Sequence, residues 1–128
     1  ENALIVAKHF SASNKLLSVR YPGLENDPYY ALAQKYLPKG TSGVITFSIK
    51  GGRDAAVRFM DSLKLASNVV HVADIRTCVL HPASATHRQL TDSQLEDAGI
   101  DAGMIRFSCG LEHVDDIIAD IDQALLSV

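Results

Sequence analysis

The stretch Met104-Ile105-Arg106-Phe107-Ser108-Cys109 alternates between apolar and polar side chains from Ile105 onward. Successive side chains of a β-strand point to opposite faces of the sheet, so Ile105 and Phe107 would face a core while Arg106 and Ser108 face away. Buried parallel strands show continuous hydrophobic runs instead, and alternation is typical of antiparallel or mixed sheets with one covered face. The stretch therefore predicts a sheet with helices on one side and with Arg106 on the other.

The rest of the chain fits this architecture. A second alternating strand is predicted at residues 16–21, where Leu17, Val19 and Tyr21 would share one face. Asp27 is expected to cap a helix that has Pro28 at its first position. Further strands are predicted at residues 43–49 and 77–80, and helices at about 2–13, 27–36, 53–63, 92–98 and 113–126. We predict an α+β fold whose mostly antiparallel sheet of about four strands carries helices on one face.

Composition limits the classes of protein that the chain can represent. Its 128 residues, 47% hydrophobic and 21% charged, suit one globular domain with a core. A net charge of −3 and scattered basic residues indicate no nucleic-acid partner, and no apolar run is long enough to span a membrane. Cys78 and Cys109 form no Cys-x-x-Cys motif and are expected to be reduced thiols, which favours a cytoplasmic protein without a signal peptide.

The residues alone reveal no complete catalytic constellation. His71, His81 and His87 match no short metal-binding spacing, so no metal site is predicted. The polar loop around Thr86 lacks the Gly-x-Ser-x-Gly motif of a nucleophile elbow. Arg106 stands out because a planar guanidinium suits bidentate binding of a carboxylate, although an arginine on a solvated sheet face would give the same pattern.

Several segments, in order along the chain, resemble the C-terminal domain of the Cys/Met-metabolism enzymes that depend on pyridoxal phosphate (PLP). Val-Arg-Tyr-Pro-Gly-Leu at 19–24 resembles the start of that domain, and Ile-Arg-Phe-Ser-Cys-Gly-Leu-Glu at 105–112 resembles its Arg-Leu-Ser-Val-Gly-Ile-Glu ending. His-Pro-Ala-Ser-Ala-Thr-His at 81–87 is typical of the O-acetylhomoserine sulfhydrylase branch. Residues 29–40, 47–52 and 61–68 continue the resemblance.

The resemblance implies the small C-terminal domain of a fold-type I PLP enzyme. Residues 1–15 would be the end of the connector helix from a large domain, and residues 16–128 would be the substrate-orienting domain. The large domain would bind PLP through its own lysine, so this part alone is expected to be inactive. The full-length protein would be a PLP-dependent transferase and a homotetramer. It would replace the acetate of O-acetylhomoserine by sulfide or a thiol and give homocysteine or methionine.

The resemblance also assigns roles to individual residues. Arg106 matches the arginine that holds the substrate α-carboxylate. His71 and Val72 belong to the segment beside that carboxylate, where relatives usually carry Asn or Ser in place of His71 and Gly in place of Ala73. Thr86 is expected to line the channel through which the second substrate enters.

Two alternatives remain open at this point. A cystathionine or methionine γ-lyase or synthase of the same family differs from the sulfhydrylase branch chiefly in the 81–87 tract. A stand-alone, non-catalytic module that binds a carboxylate is compatible with the lack of a PLP-binding lysine.

Overall fold

The computed structural model describes residues 1–128, which form five helices and five strands. The helices are α1 (Asn2–Ala12), α2 (Tyr30–Tyr36), α3 (Gly52–Ser62), α4 (Asp92–Asp97) and α5 (Val114–Leu125). The strands are β1 (Leu16–Arg20), β2 (Val44–Ile49), β3 (Ser67–Asn68), β4 (Cys78–Leu80) and β5 (Met104–Ser108). None of the helices has the length and apolar character needed to cross a membrane.

All five strands belong to one sheet, in the order β1-β2-β5-β4-β3. The pairs β1–β2, β2–β5 and β5–β4 are antiparallel, whereas β3 pairs with β4 in parallel. The α+β class is therefore confirmed, but the sheet is mixed and has five strands where about four were expected. The additional strand, β3, is only two residues long, and so short a segment shows no readable alternation.

Helices α1, α3 and α5 cover one face of the sheet and enclose the core with it. Phe47 of β2 and Phe107 of β5 point into this core, and Phe10 of α1 packs against both rings, with centroid distances of 4.2 Å and 5.5 Å. Phe59 of α3 completes the aromatic cluster. The alternation that predicted the buried face of β5 is thus confirmed, and Arg106 lies on the opposite face.

The expected orientation of β1 was wrong at its first residues. The pairing with β2 shifts between Leu16 and Ser18, as in a β-bulge, and Leu16 rather than Leu17 enters the core. Leu17 is 61% exposed. A bulge inserts one residue into the alternation, which a period of two cannot reveal.

The expected helix cap at Asp27 was also wrong. Helix α2 begins at Tyr30, and the Asp27 carboxylate instead accepts hydrogen bonds from the backbone amides of Tyr21 and Tyr29, at 3.1 Å and 2.9 Å. Arg20 donates to the same carboxylate at 3.2 Å. Asp27 therefore closes the turn between β1 and α2 from a buried position.

Candidate functional site

Arg106 lies near the middle of the sheet face that the three core helices leave free. The register places Thr46 of β2 opposite Arg106 on one side and Leu80 of β4 opposite it on the other. Arg20 of β1 follows beyond Thr46 in the same row. Because strands flank β5 on both sides, the backbone that carries Arg106 is held by two hydrogen-bonded ladders.

The guanidinium of Arg106 makes only backbone contacts within the chain. Its Nη2 donates to the carbonyl of Val70 at 2.6 Å, and the carbonyl of His71 lies 3.5 Å from the same nitrogen. No carboxylate lies within ion-pair distance of Arg106. Since a guanidinium carries five N–H donors, most of them remain free, and the charge has no counter-ion.

Residues 70–73, which we call the arch segment, cross this face of the sheet beside Arg106. The backbone amides of Val70, His71 and Val72 donate no hydrogen bond within the chain. The amide of Ala73 donates to the hydroxyl of Ser108 at 3.3 Å. Because the carbonyls of Val70 and His71 face the guanidinium of Arg106, the N–H groups of the same trans peptide units, at His71 and Val72, point away from it. The guanidinium is thus the group on this face that can bind an anion.

Ala73 has a φ of +58°, the left-handed conformation that glycine adopts without cost. It is the one residue other than glycine with a positive φ in the chain. This backbone conformation would suit the glycine that the family resemblance leads us to expect at this position.

His71 and Asp74 form a second, more exposed group next to Arg106. The Nδ1 atom of His71 lies 3.5 Å from a carboxylate oxygen of Asp74, which also accepts from Arg76 at 3.2 Å. The Arg76 side chain and backbone amide hold the pKa of Asp74 well below its usual range. Asp74 is therefore negatively charged at neutral pH, and its ion-pair partner is Arg76 rather than Arg106.

The chain that follows the arch segment is held by hydrogen bonds to Glu112. The backbone amide and hydroxyl of Thr77 both donate to the Glu112 carboxylate, at 2.6 Å and 2.8 Å. The amide of Leu111 donates to the carbonyl of Ile75 at 2.8 Å. These bonds connect residues 75–77, which follow the arch segment, to residues 111–112, which follow β5.

Thr86 makes no hydrogen bond with Arg106. Its hydroxyl lies 2.8 Å from Nδ1 of His87, and both residues are in the turn-rich loop that follows β4. That loop is anchored to α3, because Arg53 donates to the carbonyl of Ala83 at 2.6 Å and pairs with Asp92. The role of Thr86 in a substrate channel stays a prediction.

The histidines and cysteines do not form a metal or redox centre. No group of three or more His, Cys, Asp or Glu side chains could hold a metal ion. His81 is buried and hydrogen-bonds the carbonyl of Ala102 at 2.7 Å, and burial lowers its pKa. Cys78 and Cys109 are free thiols, and burial raises the pKa of Cys109 to about 12, which makes it a poor nucleophile at neutral pH.

Sequence reasoning placed Ser108 on the same face as Arg106 but gave it no role, and it missed the unused amides of the arch segment. A signal for Ser108 was present, because it lies two residues after Arg106 and so faces the same side of β5. The amides gave no signal, since hydrogen bonding of a loop backbone depends on tertiary contacts.

Comparison with known proteins gives this site a family context. The model of the family "Cys/Met metabolism PLP-dependent enzyme" matches residues 1–126. The chain belongs to this family. The resemblance predicted from the sequence is therefore confirmed, and the enzymes of this family depend on PLP.

Within the Cys/Met-metabolism family, curated relatives of several activities are similar to the chain. An O-acetyl-L-homoserine sulfhydrylase of Corynebacterium glutamicum is 41% identical over the whole chain, and a homocysteine synthase of Schizosaccharomyces pombe is 45% identical over 98% of it. An L-methionine gamma-lyase of Fusobacterium nucleatum is 42% identical over 98% of the chain. The chain spans only about 30% of the length of these relatives.

A crystal structure of another family member shares the fold. It is assigned as an O-acetylhomoserine (thiol)-lyase of Campylobacter jejuni and contains a pyridoxyl-lysine monophosphate. The TM-score is 0.89 at 38% identity, over 98% of this chain and 30% of that one.

The lysines of this chain do not fit a covalent PLP site. None of them is buried, and the side chain of Lys15 donates to the carbonyl of Val128 at the end of the chain. Lys50 and Lys64 are exposed and lie outside the strands that carry the Arg106 site. We therefore assign the cofactor to no residue of this chain.

Proposed function

We propose that this chain is the C-terminal, substrate-orienting part of a PLP-dependent O-acetylhomoserine sulfhydrylase. One observation carries the proposal: the guanidinium of Arg106, on the free face of the sheet, has no carboxylate partner within the chain and is oriented by the carbonyl of Val70. The α-carboxylate of an amino acid would supply the missing ion-pair partner of Arg106. The similarity to sulfhydrylases and to a homocysteine synthase supports the choice of substrate.

The residues of this chain act by binding and orientation. Arg106 binds the α-carboxylate of O-acetylhomoserine with its free N–H groups, and the segment that contains His71 and Val72 lies beside that carboxylate. Fixing one end of the amino acid limits the positions of its γ-carbon, and such orientation contributes to catalysis without a covalent step. The cofactor, when bound, supplies the electron sink for the loss of acetate and the addition of sulfide or a thiol.

The wider organisation of the protein is part of the same proposal. Residues 1–15 are the end of a connector helix, residues 16–128 are the C-terminal domain, and a large domain supplies the PLP site. Helix α1 contributes Val6 and Phe10 to the core of the described domain, so the connector helix would belong to this folding unit. The full-length protein is a transferase and a homotetramer in the cytoplasm, and this part is inactive without the large domain.

The test measures the affinity of the full-length, PLP-loaded protein for O-acetylhomoserine. Binding is monitored through the change in the visible absorbance of the cofactor. Arg106→Ala should leave PLP bound and weaken amino-acid binding by about 2–4 kcal/mol, which is roughly 30- to 900-fold. Arg58→Ala is the matched control, because Arg58 lies on α3 and donates to the carbonyl of Ser127. Unchanged affinity in the Arg106 variant would contradict the proposal.

A γ-lyase is the second candidate, because an L-methionine gamma-lyase is as similar to the chain as the sulfhydrylases are. The two activities release different products. O-acetylhomoserine with sulfide should give homocysteine in the proposed reaction, whereas a lyase should give a 2-oxo acid and ammonia. A native protein that carries no PLP and releases neither product would favour the non-catalytic carboxylate-binding module.

A further inference from the structure

We propose that Ser108 is a positioning residue of the carboxylate site. Its hydroxyl would hold the arch segment so that the carbonyl of Val70 keeps the guanidinium of Arg106 in the orientation that binds the carboxylate. This inference rests on the function proposed above. It adds a residue whose side chain has no contact with the substrate.

The arch segment has two anchors on the sheet, and both belong to β5. Arg106 donates to the carbonyl of Val70 at 2.6 Å, and the hydroxyl of Ser108 accepts from the amide of Ala73 at 3.3 Å. Two residues of a strand are separated by roughly 7 Å, so the anchors hold the first and last residues of the arch segment at separate points. Without Ser108, the segment would be held on this face by the guanidinium that the substrate also needs.

The strained backbone of Ala73 makes the second anchor important. A left-handed conformation is unfavourable for alanine, and such a conformation persists only where its surroundings hold it. The bond to Ser108 is the hydrogen bond that the Ala73 amide makes. If it is lost, Ala73 can relax toward a favourable φ, and the carbonyl of Val70 that orients Arg106 shifts with the segment.

The burial of Ser108 argues against a role in solvent contacts. The residue is only 2% exposed, and its neighbours across the sheet are Val44 and Cys78. Ser48 of β2 lies on the same face and is 7% exposed, but its hydroxyl makes no hydrogen bond within the chain. Ser48→Ala is therefore a matched control for the loss of a hydroxyl from a buried serine on this side of the sheet.

The experiment compares variants of the full-length, PLP-loaded protein by spectral titration with O-acetylhomoserine. Ser108→Ala should raise the Kd about fivefold, the ratio that corresponds to one ordinary hydrogen bond, while Ser48→Ala stays within about twofold of the parent. Ser108→Cys keeps nearly the same volume with a weak acceptor and should resemble Ser108→Ala. It serves as the second variant if the alanine protein does not fold.

An analogue of the substrate that lacks the α-carboxylate distinguishes a positioning role of Ser108 from a purely structural one. The parent and Ser108→Ala proteins should bind this amine equally, because the fivefold difference arises at the carboxylate. An equal loss of affinity for both ligands, or no loss for either, would overturn the role of Ser108. If Arg106→Ala also left the affinity unchanged, the proposed function itself would fail, so the two failures are distinguishable.

Discussion

Asp120 of α5 offers a strong test of how the structure is held together. Its buried carboxylate accepts hydrogen bonds from the backbone amides of Lys64, Leu65 and Ala66, at 2.8 Å, 3.0 Å and 2.9 Å. Gln123 donates to the same carboxylate at 3.1 Å. The carboxylate thereby fixes the turn after α3 to the last helix, and Asp120→Ala leaves these donors without their acceptor.

The size of the effect follows from the number of bonds. A hydrogen bond to a charged group contributes about 1.5–3 kcal/mol, but such contributions do not add fully when the donors can reach water. We expect Asp120→Ala to lower the free energy of unfolding by about 3–5 kcal/mol. In a chain of this size about 1 kcal/mol corresponds to about 4 °C, so the Tm should fall by about 12 °C or more. Asp120→Asn keeps one acceptor oxygen and should cost about half as much.

Thermal unfolding followed by circular dichroism, with urea unfolding at 25 °C, measures both quantities. The control is Asp122→Ala on the same helix, because Asp122 is exposed and pairs only with His9 on the surface. That substitution should cost about 0.5 kcal/mol or less. Equal losses for the two variants would refute the reasoning, since they would show that the buried carboxylate contributes no more than a surface pair.

Two further predictions concern single residues. Ala73→Gly should raise the Tm by about 4 °C, because glycine adopts the left-handed φ without the cost of about 1 kcal/mol that alanine bears. Differential scanning calorimetry measures this change, and a fall in the Tm would contradict the prediction. Burial raises the pKa of Asp27, yet the amide of Tyr29 and the Arg20 guanidinium lower it below its ordinary value. Asp27 should therefore stabilise the fold above pH ~4, and this stabilisation should disappear as the pH falls through its folded pKa. Urea unfolding at several pH values should show a weaker loss on acidification in Asp27→Asn than in the parent.

Much of the sheet could be predicted because its central strands carry a clear alternation. Ile45 and Phe47 of β2, and Ile105 and Phe107 of β5, all face the core as expected. Where the pattern is interrupted, prediction failed for local reasons. The bulge at Leu16 shifts the alternation by one residue, and the two residues of β3 are too few to show any.

Only part of the candidate site was accessible from sequence. Alternation placed Arg106 on the free face, and the family resemblance supplied its expected role. The contacts of Arg106 with the Val70 carbonyl, and of Ser108 with the Ala73 amide, join residues more than thirty positions apart. The segment that contains Val70 and Ala73 has no helical or strand period, so no pattern specifies its path over the sheet.

The two halves of the site differ in how firmly the fold holds them. Arg106 is on a strand with paired neighbours on both sides, and sites built on strands are more precise than sites on loops. The arch segment is a loop with exposed side chains, and it depends on the anchors that β5 supplies. A side chain of this loop such as His71 can therefore be replaced without loss of the backbone contacts with Arg106 and Ser108. A substitution at Ser108, or of Ala73 by any residue other than glycine, should disturb that backbone more than a substitution at His71.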